Sequence, residues 1–369
     1  MHSEQKDLVS NLKIFLGIIF SLILIGIIFI YSASSVFALE KFGSASYFAK
    51  KQIMGVVIGF IALIIAAIVP LNFIKKFAPL FFLAALFLTA LTLLPFLGQQ
   101  IHGSRRWLSL PGLTFQPSEI LKYALILYTA YLLDKKFYQR ASFLHSYLPL
   151  LLILVATALV LLKQPDFGLT VALFVTVFIL LFIAQFKTKY LLLTAACALP
   201  AGIFLIFFKQ YRLKRILTFL DPWKDPQGAG FQIIQSLIAI GSGGFWGIGI
   251  SNSKQKFFYL PMQHTDFIFS IIAEETGFFG SSILIGIYIL FLFFGLRIAW
   301  KLKDSFCTFA TLGFVILTTF QALINFSVAI GLFPTKGIGL PFVSYGNSSL
   351  ICSLAMVGLI INFVRNNDN

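Results

Sequence analysis

Residues Leu12–Ile30 read LKIFLGIIFSLILIGIIFI, a run whose only charge is Lys13. About 20 predominantly apolar residues in a helix cross the hydrocarbon core of a bilayer. The run exceeds the apolar stretch of about 7–15 residues in a secretory signal. Ser32-Ala33-Ser34 imitates a cleavage site, but the length predicts a retained first span. Working outward from 12–34, similar runs recur at 50–69, 77–97, 117–133, 145–163, 169–185, 190–208, 266–299, 305–331 and 342–364. The expected fold is all-α: a polytopic integral membrane protein with ten transmembrane helices, a single transmembrane domain over residues 1–369. A closed β-barrel would instead show alternating strands of about 10 residues.

Composition points the same way. Of 369 residues, 59% are hydrophobic and 11% charged, against about 25% charged in an average soluble domain. So few charges cannot cover the surface of a soluble chain this long. Forty-four phenylalanines suit lipid-facing helix surfaces. Cys197, Cys307 and Cys352 lie in apolar stretches without a CxxC pair, which argues for packing rather than a disulfide or zinc frame.

Orientation follows from Lys and Arg in the short loops. With the N-terminus cytoplasmic, the inside segments hold Lys6, Lys13, Lys75, Lys76, Lys135, Lys136, Arg140, Lys187, Lys189, Arg297, Lys301, Lys303 and Arg365. The short outside loops hold about half as many: Lys41, Lys50, Lys51, Arg105, Arg106, Lys163 and Lys336. Both termini are therefore expected inside, on the cytoplasmic face of the membrane. One long connection, about 209–265 between the seventh and eighth spans, then falls outside. It carries seven further basic residues, Lys209 to Lys256, against the general trend. Long loops follow the charge rule poorly; alternatively, these residues meet an anionic ligand near the outer headgroups.

Ionisable residues among membrane spans are costly and hence functional candidates. The chain has only 13 Asp and Glu. Several of them, Glu119, Asp166, Asp266, Glu274 and Glu275, fall on the expected outer side, within four constellations of polar residues. The first is GSRRW at 103–107 followed by QPSEILK at 116–122. Glu119 and Lys122, three apart, share a helix face: a buried ion pair, or a polar cavity wall with Arg105 and Arg106 at its mouth to fork onto phosphate oxygens. The second is QPDFG at 164–168, where Asp166 suits a helix N-cap. The third runs from GAGFQ at 228–232 through GSGG at 241–244 to YLPMQHTDFIF at 259–269. Asp266 stands where a polar loop becomes an apolar helix. Capping would explain it, but not its neighbours Lys256 and His264, nor Glu274 and Glu275. The fourth is PTKG at 334–337 with LPFVSYGNSS at 340–349, whose glycines and prolines imply irregular backbone, either buried in protein or lining a watery cavity, with Lys336 and Ser344 within it. Lys336 could equally anchor its loop by snorkelling.

Taken together and in this order, the motifs resemble the SEDS family of shape, elongation, division and sporulation proteins, from about Tyr31 to about Asn362, and its division branch more than its elongation branch. The resemblance implies ten transmembrane helices, cytoplasmic termini and a large outer loop between the seventh and eighth. It also implies a bacterial cytoplasmic-membrane peptidoglycan glycosyltransferase that polymerises lipid II and releases undecaprenyl diphosphate. The family's essential aspartate maps to Asp266, and its conserved polar positions to Glu119, Lys122 and Lys336. A class B penicillin-binding protein and other divisome or elongasome membrane proteins are the implied partners; nucleic acid is not. Three positions depart from the family pattern: Met262 stands for a glutamate, Asn347 for a glycine and Thr276 for a leucine. Asn347 can still adopt a left-handed backbone at some cost.

The chemistry expected is attack of a sugar 4-hydroxyl on an anomeric carbon as a diphosphate leaves. Asp266 is the expected general base, a role worth about 10²–10⁴-fold. Arg105, Arg106, Lys122 and Lys336 are candidates to stabilise growing negative charge. Glu119 and Asp166 would shape the cavity, with Lys256, His264 and Ser344 as further substrate contacts. A single base and direct displacement invert the anomeric centre. No cofactor is required; a divalent cation, Mg or Mn, could screen the diphosphate, although no ligand cluster predicts one. From the residues alone, charges facing a central cavity suit a lipid flippase equally well; a non-catalytic scaffold is the other alternative, and in it the outer-facing acids would be dispensable.

Overall fold

The computed structural model describes residues 2–101, 104–110, 113–135, 142–256, 263–335 and 337–367. Lys336, and Phe257–Met262 of the YLP motif, lie outside the described residues. The helices are α1 (His2–Phe42), α2 (Tyr47–Ile68), α3 (Leu71–Leu91), α4 (Pro117–Lys135), α5 (Leu148–Lys163), α6 (Phe167–Ile183), α7 (Thr188–Phe207), α8 (Gln210–Leu220), α9 (Phe231–Gly243), α10 (Ile268–Lys301), α11 (Ser305–Ala329) and α12 (Asn347–Arg365). Three strands, β1 (Gly98–Ile101), β2 (Ser104–Leu110) and β3 (Leu113–Phe115), form an antiparallel sheet between α3 and α4.

Among the described residues eight helices are long and apolar enough to cross a membrane, so the protein is a multi-pass helical membrane protein. Two of the ten expected spans fall short. The segment at 169–185 lies in the shorter apolar helix α6. The one at 117–133 is α4, which carries Glu119, Lys122, Asp134 and Lys135 and is buried along most of its length. Neighbouring helices enclose Glu119 and Lys122, while Lys135 at the far end of α4 is exposed.

The all-α expectation needs correcting at the sheet. Ser104–Leu110 is a short β-prone stretch between two Gly-containing dipeptides, His102-Gly103 and Pro111-Gly112. Apolar periodicity, which identifies spans, carries no information about such a hairpin. The described part of the long connection contains α8, a turn at Pro222–Lys224, and α9. Basic Arg212, Lys214 and Arg215 alternate along α8 with Leu213, Ile216 and Leu217, an amphipathic pattern suited to an interface.

Two helices are longer than a bilayer needs. α1 has 41 residues, about 60 Å at 1.5 Å per residue, and Ser32, Ala33 and Ser34 are buried within it. α10 has 34 residues and breaks at Gly277, whose φ of 67° and ψ of −165° are non-helical. The stretch Ile268–Thr276 is thus a short buried half-helix continuing from Asp266. α11 is the most enclosed of the long apolar helices and α7 the least.

Both chain ends lie at one end of the bundle. Asp7 on α1 pairs with Lys301 on α10, and the Lys303 N–H donates to Asn367 Oδ1 at 2.8 Å. At the same end Lys75 bridges Asp304 at 2.5 Å and Asp134 at 3.5 Å. The opposite end holds the sheet, α8, α9 and the site.

Candidate active site

A cavity of about 590 Å³ lies at the end opposite the termini. Of the residues singled out in the sequence, Arg106, Glu119, Lys122, Asp166, Asp266 and Ser344 line it. Its wall reaches the surface at Thr114, Arg215 and Gly337, which are exposed.

Asp166 and Arg106 are placed by local structure. Asp166 is the N-cap of α6, accepting from the Leu169 N–H at 3.2 Å. Arg106 arrives through a β-bulge: Trp107 pairs with Gln99 and Arg105 with Gln100, leaving Arg106 as the extra residue of β2. Bulges commonly re-aim a side chain beside an active site. Here the guanidinium reaches Asp166 Oδ2 at 3.4 Å and donates to the Gln164 and Pro165 carbonyls at 3.1 and 2.6 Å. Arg105 does not line the cavity. Sequence spacing could not separate the two arginines, because the bulge decides which one is re-aimed.

Lys122 and Glu119 form an ion pair of 2.6 Å with side chains 2% and 14% exposed. Lys122 also donates to Gln321 on α11 at 3.4 Å. The pair is both of the things expected, a buried structural pair and a cavity wall.

Asp266 does not cap α10. The N-cap position is Phe267, with no side-chain hydrogen bond. Asp266 instead lines the cavity, held by its backbone: its carbonyl accepts from Asn325 Nδ2 at 2.8 Å. A Cβ on Gly337 would stand 3.5 Å from Asp266 Oδ2, so the carboxylate faces that loop's backbone. Gly337 has a φ of 65°, a conformation glycine adopts without strain. Ser344 acts through structure: its Oγ donates to the Thr265 carbonyl at 2.6 Å and accepts from the Leu340 N–H at 2.7 Å.

Two expected substrate contacts are elsewhere. Lys256 is 5% exposed and its ammonium donates to the Ser251 carbonyl, within its own loop. His264 packs among Phe48, Tyr345 and Phe37, with ring centroids 4.4, 5.7 and 6.1 Å away. Burial pushes the imidazole down to about 4, so it is neutral near pH 7. Glu274 and Glu275 also stay out of the cavity. Glu274 accepts from the Lys254 N–H at 2.9 Å and from Ser253 Oγ, and Glu275 accepts from Ser32 Oγ at 2.6 Å. They tie the loop around Ser253 and Lys254, and α1, to α10.

Asn347 is another correction. Left-handed backbone is not needed there, since Asn347 is the first residue of α12 and is absent from the positive-φ positions. Its side chain packs against Gly55 of α2, where an added Cβ would meet Oδ1 at 2.6 Å.

Trp107 and Gln232, which lie within the quoted motifs, Arg215 of the long connection and Gln321 also line the cavity, although none was named as a site residue. Gln321 and Asn325 had a legible signal: two amides four residues apart, hence on one face, inside an otherwise apolar span. Arg215 had only a shared signal, as one of seven basic residues in the long connection that could meet an anionic ligand; its type did not distinguish it from the other six. Among the described residues no group of three or more His, Cys, Asp or Glu side chains is placed to hold a metal ion.

A multi-pass helical bundle with a polar, acid-containing cavity at one end is the class this fold and site define. The family described as "Cell cycle protein", comprising FtsW, RodA and SpoVE, matches residues 13–369. The chain belongs to this family, the SEDS family its motifs resembled. A relative from Geobacter sp. (strain M18), named "Probable peptidoglycan glycosyltransferase FtsW", is 45% identical over 337 residues, 91% of this chain and 92% of the relative. Stage V sporulation protein E of Bacillus subtilis (strain 168) is 38% identical over 344 residues, 93% and 94% of the two chains. A chain from a peptidoglycan synthase complex, solved to describe "structural coordination of polymerization and crosslinking", superposes with a TM-score of 0.78 at 31% identity over 96% of this chain and 97% of that one. The rod shape determining protein RodA of Thermus thermophilus superposes with a TM-score of 0.71 at 26% identity over the same shares.

Proposed function

We propose that this chain is a peptidoglycan glycosyltransferase of the division type, which polymerises lipid II on the outer face of the cytoplasmic membrane. The observation that carries the reading is the Asp266 carboxylate on the wall of a polar cavity that also holds two ion-paired cations. Family membership supports it, as do relatives named for this activity. In this reading ten helices cross the membrane, α4 and α6 included, the termini are cytoplasmic, and α8 and α9 belong to the outer loop.

Asp266 takes the proton of the acceptor 4-hydroxyl as its oxygen bonds to the donor anomeric carbon. The bond from that carbon to the diphosphate oxygen breaks, and the electron pair leaves with undecaprenyl diphosphate. Direct displacement inverts the centre. Diphosphate is a good leaving group, so fixed positive charge matters more than a general acid. Arg106, Lys122 and Arg215 surround the cavity, offset by Glu119, Asp166 and Asp266. This balance leaves a role for Lys336 in holding the diphosphate. A divalent cation, Mg or Mn, would be carried mainly by the substrate's own phosphates, because no described cluster of side chains cages one.

A class B penicillin-binding protein is the proposed partner, together with other divisome proteins; the superposed synthase complex supports that choice. The experiment is synthesis from labelled lipid II in detergent by the purified chain with such a partner. Strands from wild type, and turnover about 10²–10⁴-fold lower in Asp266→Asn, are expected. Equal rates from both would remove Asp266 as the base. Lipid movement in sealed vesicles without strand synthesis would favour a flippase.

A further inference from the structure

Three consecutive carbonyls lead into the half-helix of α10, and each is held by a different group. His264 O accepts from the Tyr345 N–H at 3.0 Å. Thr265 O accepts from Ser344 Oγ at 2.6 Å. Asp266 O accepts from Asn325 Nδ2 at 2.8 Å. The first two donors belong to the loop before α12. The third belongs to α11, in the most enclosed part of the bundle, and lies in none of the recognised motifs.

Asn325 is 1% exposed and does not line the cavity, although its helix neighbours Gln321 and Val328 do. Its second N–H donates to the Ile338 carbonyl at 2.8 Å. One planar amide therefore sets the spacing between the segment bearing Asp266 and the loop bearing Gly337. That same loop presents its backbone to Asp266 Oδ2. The amide orientation is forced, because the reverse would set Oδ1 against two carbonyl oxygens. In the observed orientation Oδ1 is buried with no hydrogen-bond partner among the described residues. An unmatched buried acceptor is costly, and in return Asn325 supplies two donors in a fixed plane, aimed at two loops.

We infer that Asn325 is a positioning residue for Asp266: by holding the Asp266 and Ile338 carbonyls on one amide, it fixes where the carboxylate stands relative to the acceptor hydroxyl without touching substrate. The inference rests on the reading of Asp266 as the general base. Misplacement of a reacting group by about 1 Å costs on the order of 10²-fold in rate. The effect should therefore fall on turnover and spare substrate binding.

The test uses the full chain with its penicillin-binding partner, wild type beside Asn325→Leu and Asn325→Asp. Leucine removes both donors while keeping the branching at Cγ, although it is larger. Aspartate keeps the shape but sets oxygens against the two carbonyls, and it carries the test if leucine does not fold. Two quantities are measured: turnover on lipid II, and the stoichiometry and Kd of lipid II binding. The expected result is turnover lower by about 10²-fold, with full binding stoichiometry and Kd within about threefold. Turnover within about threefold of wild type would overturn the inference. So would a loss of stoichiometry in proportion to the loss of rate, which would make Asn325 a folding residue only. If wild type makes no strands, or Asp266→Asn keeps the wild-type rate, it is the functional reading that has failed, whatever Asn325 does.

Discussion

At the scale of single residues, the cavity is a set of charges that largely cancel. Lys122 and Glu119 neutralise one another on one face of α4, and Arg106 does the same for Asp166. Burying a matched pair is close to neutral in energy, whereas stranding one member is costly, about 3–5 kcal/mol. Lys122→Met should therefore lower stability by about that much, read by thermal unfolding in detergent, because Glu119 is left without its cation. The double substitution Glu119→Gln with Lys122→Met should recover most of the loss. An unstable double variant would show that Lys122 contributes mainly through Gln321 and the surrounding packing. His264 shows how far position overrides residue type. An imidazole next to the proposed base reads as acid–base machinery in sequence, but an aromatic enclosure keeps it neutral and turned to packing.

At the scale of elements, the break in α10 delivers the site. A helix running straight through Gly277 would carry Asp266 away from the bundle along the helix axis. The bend is recorded in one residue. A Cβ on Gly277 would stand 2.3 Å from the Gly247 amide nitrogen and 2.6 Å from the Phe245 carbonyl, and its φ of 67° is strained for any L side chain. Gly277→Ala should destabilise by roughly 2–4 kcal/mol from strain and overpacking together. Gly286→Ala, in the same helix with nothing within 4 Å of its added Cβ, should be neutral or stabilising by up to about 1 kcal/mol. Thermal unfolding of the two variants side by side checks this, and equal behaviour would remove the steric account of the kink. The loop before α12 is built on a similar exchange. Phe342 has a φ of 65° and is buried, with Gly26 of α1 packed so closely that a Cβ there would lie 2.8 Å from the Phe342 carbonyl. Helix α1 thus approaches at a glycine so that the irregular loop can pack against it, enclosed in protein as such backbone must be among membrane spans.

At the scale of the whole molecule, the bundle separates two jobs by end. One end is a clamp of exposed and half-buried ion pairs that gathers α1, α3, α4, α10, α11 and the C-terminal residues. The other is the cavity and its covering sheet and short helices. The charge rule assigns the clamp to the cytoplasm. With Cys197 replaced by alanine, Lys254→Cys in the loop at the cavity end should react with a membrane-impermeant maleimide on spheroplasts. Lys303→Cys, between α10 and α11, should react only after lysis. The reverse pattern would invert the orientation and place the cavity on the inner face.

Apolar run length is a local property, so Leu12–Ile30 and its counterparts made the membrane class and the helix positions readable one segment at a time. The motifs likewise named Asp266, Glu119, Lys122 and Asp166 as a group, because ionisable residues among apolar spans are rare enough to stand out. Which of the polar residues converge was not readable that way. Arg106 faces the cavity and Arg105 does not because of a bulge set by pairing with β1. Lys256 and His264 are close to Asp266 in sequence yet outside the cavity, whereas Asn325 and Ile338, about sixty and seventy residues away, meet the Asp266 segment through one amide. Contacts at such separations depend on how whole helices pack, and that energy is shared over many side chains. Local pattern therefore told what each segment is, and packing alone determined which groups meet.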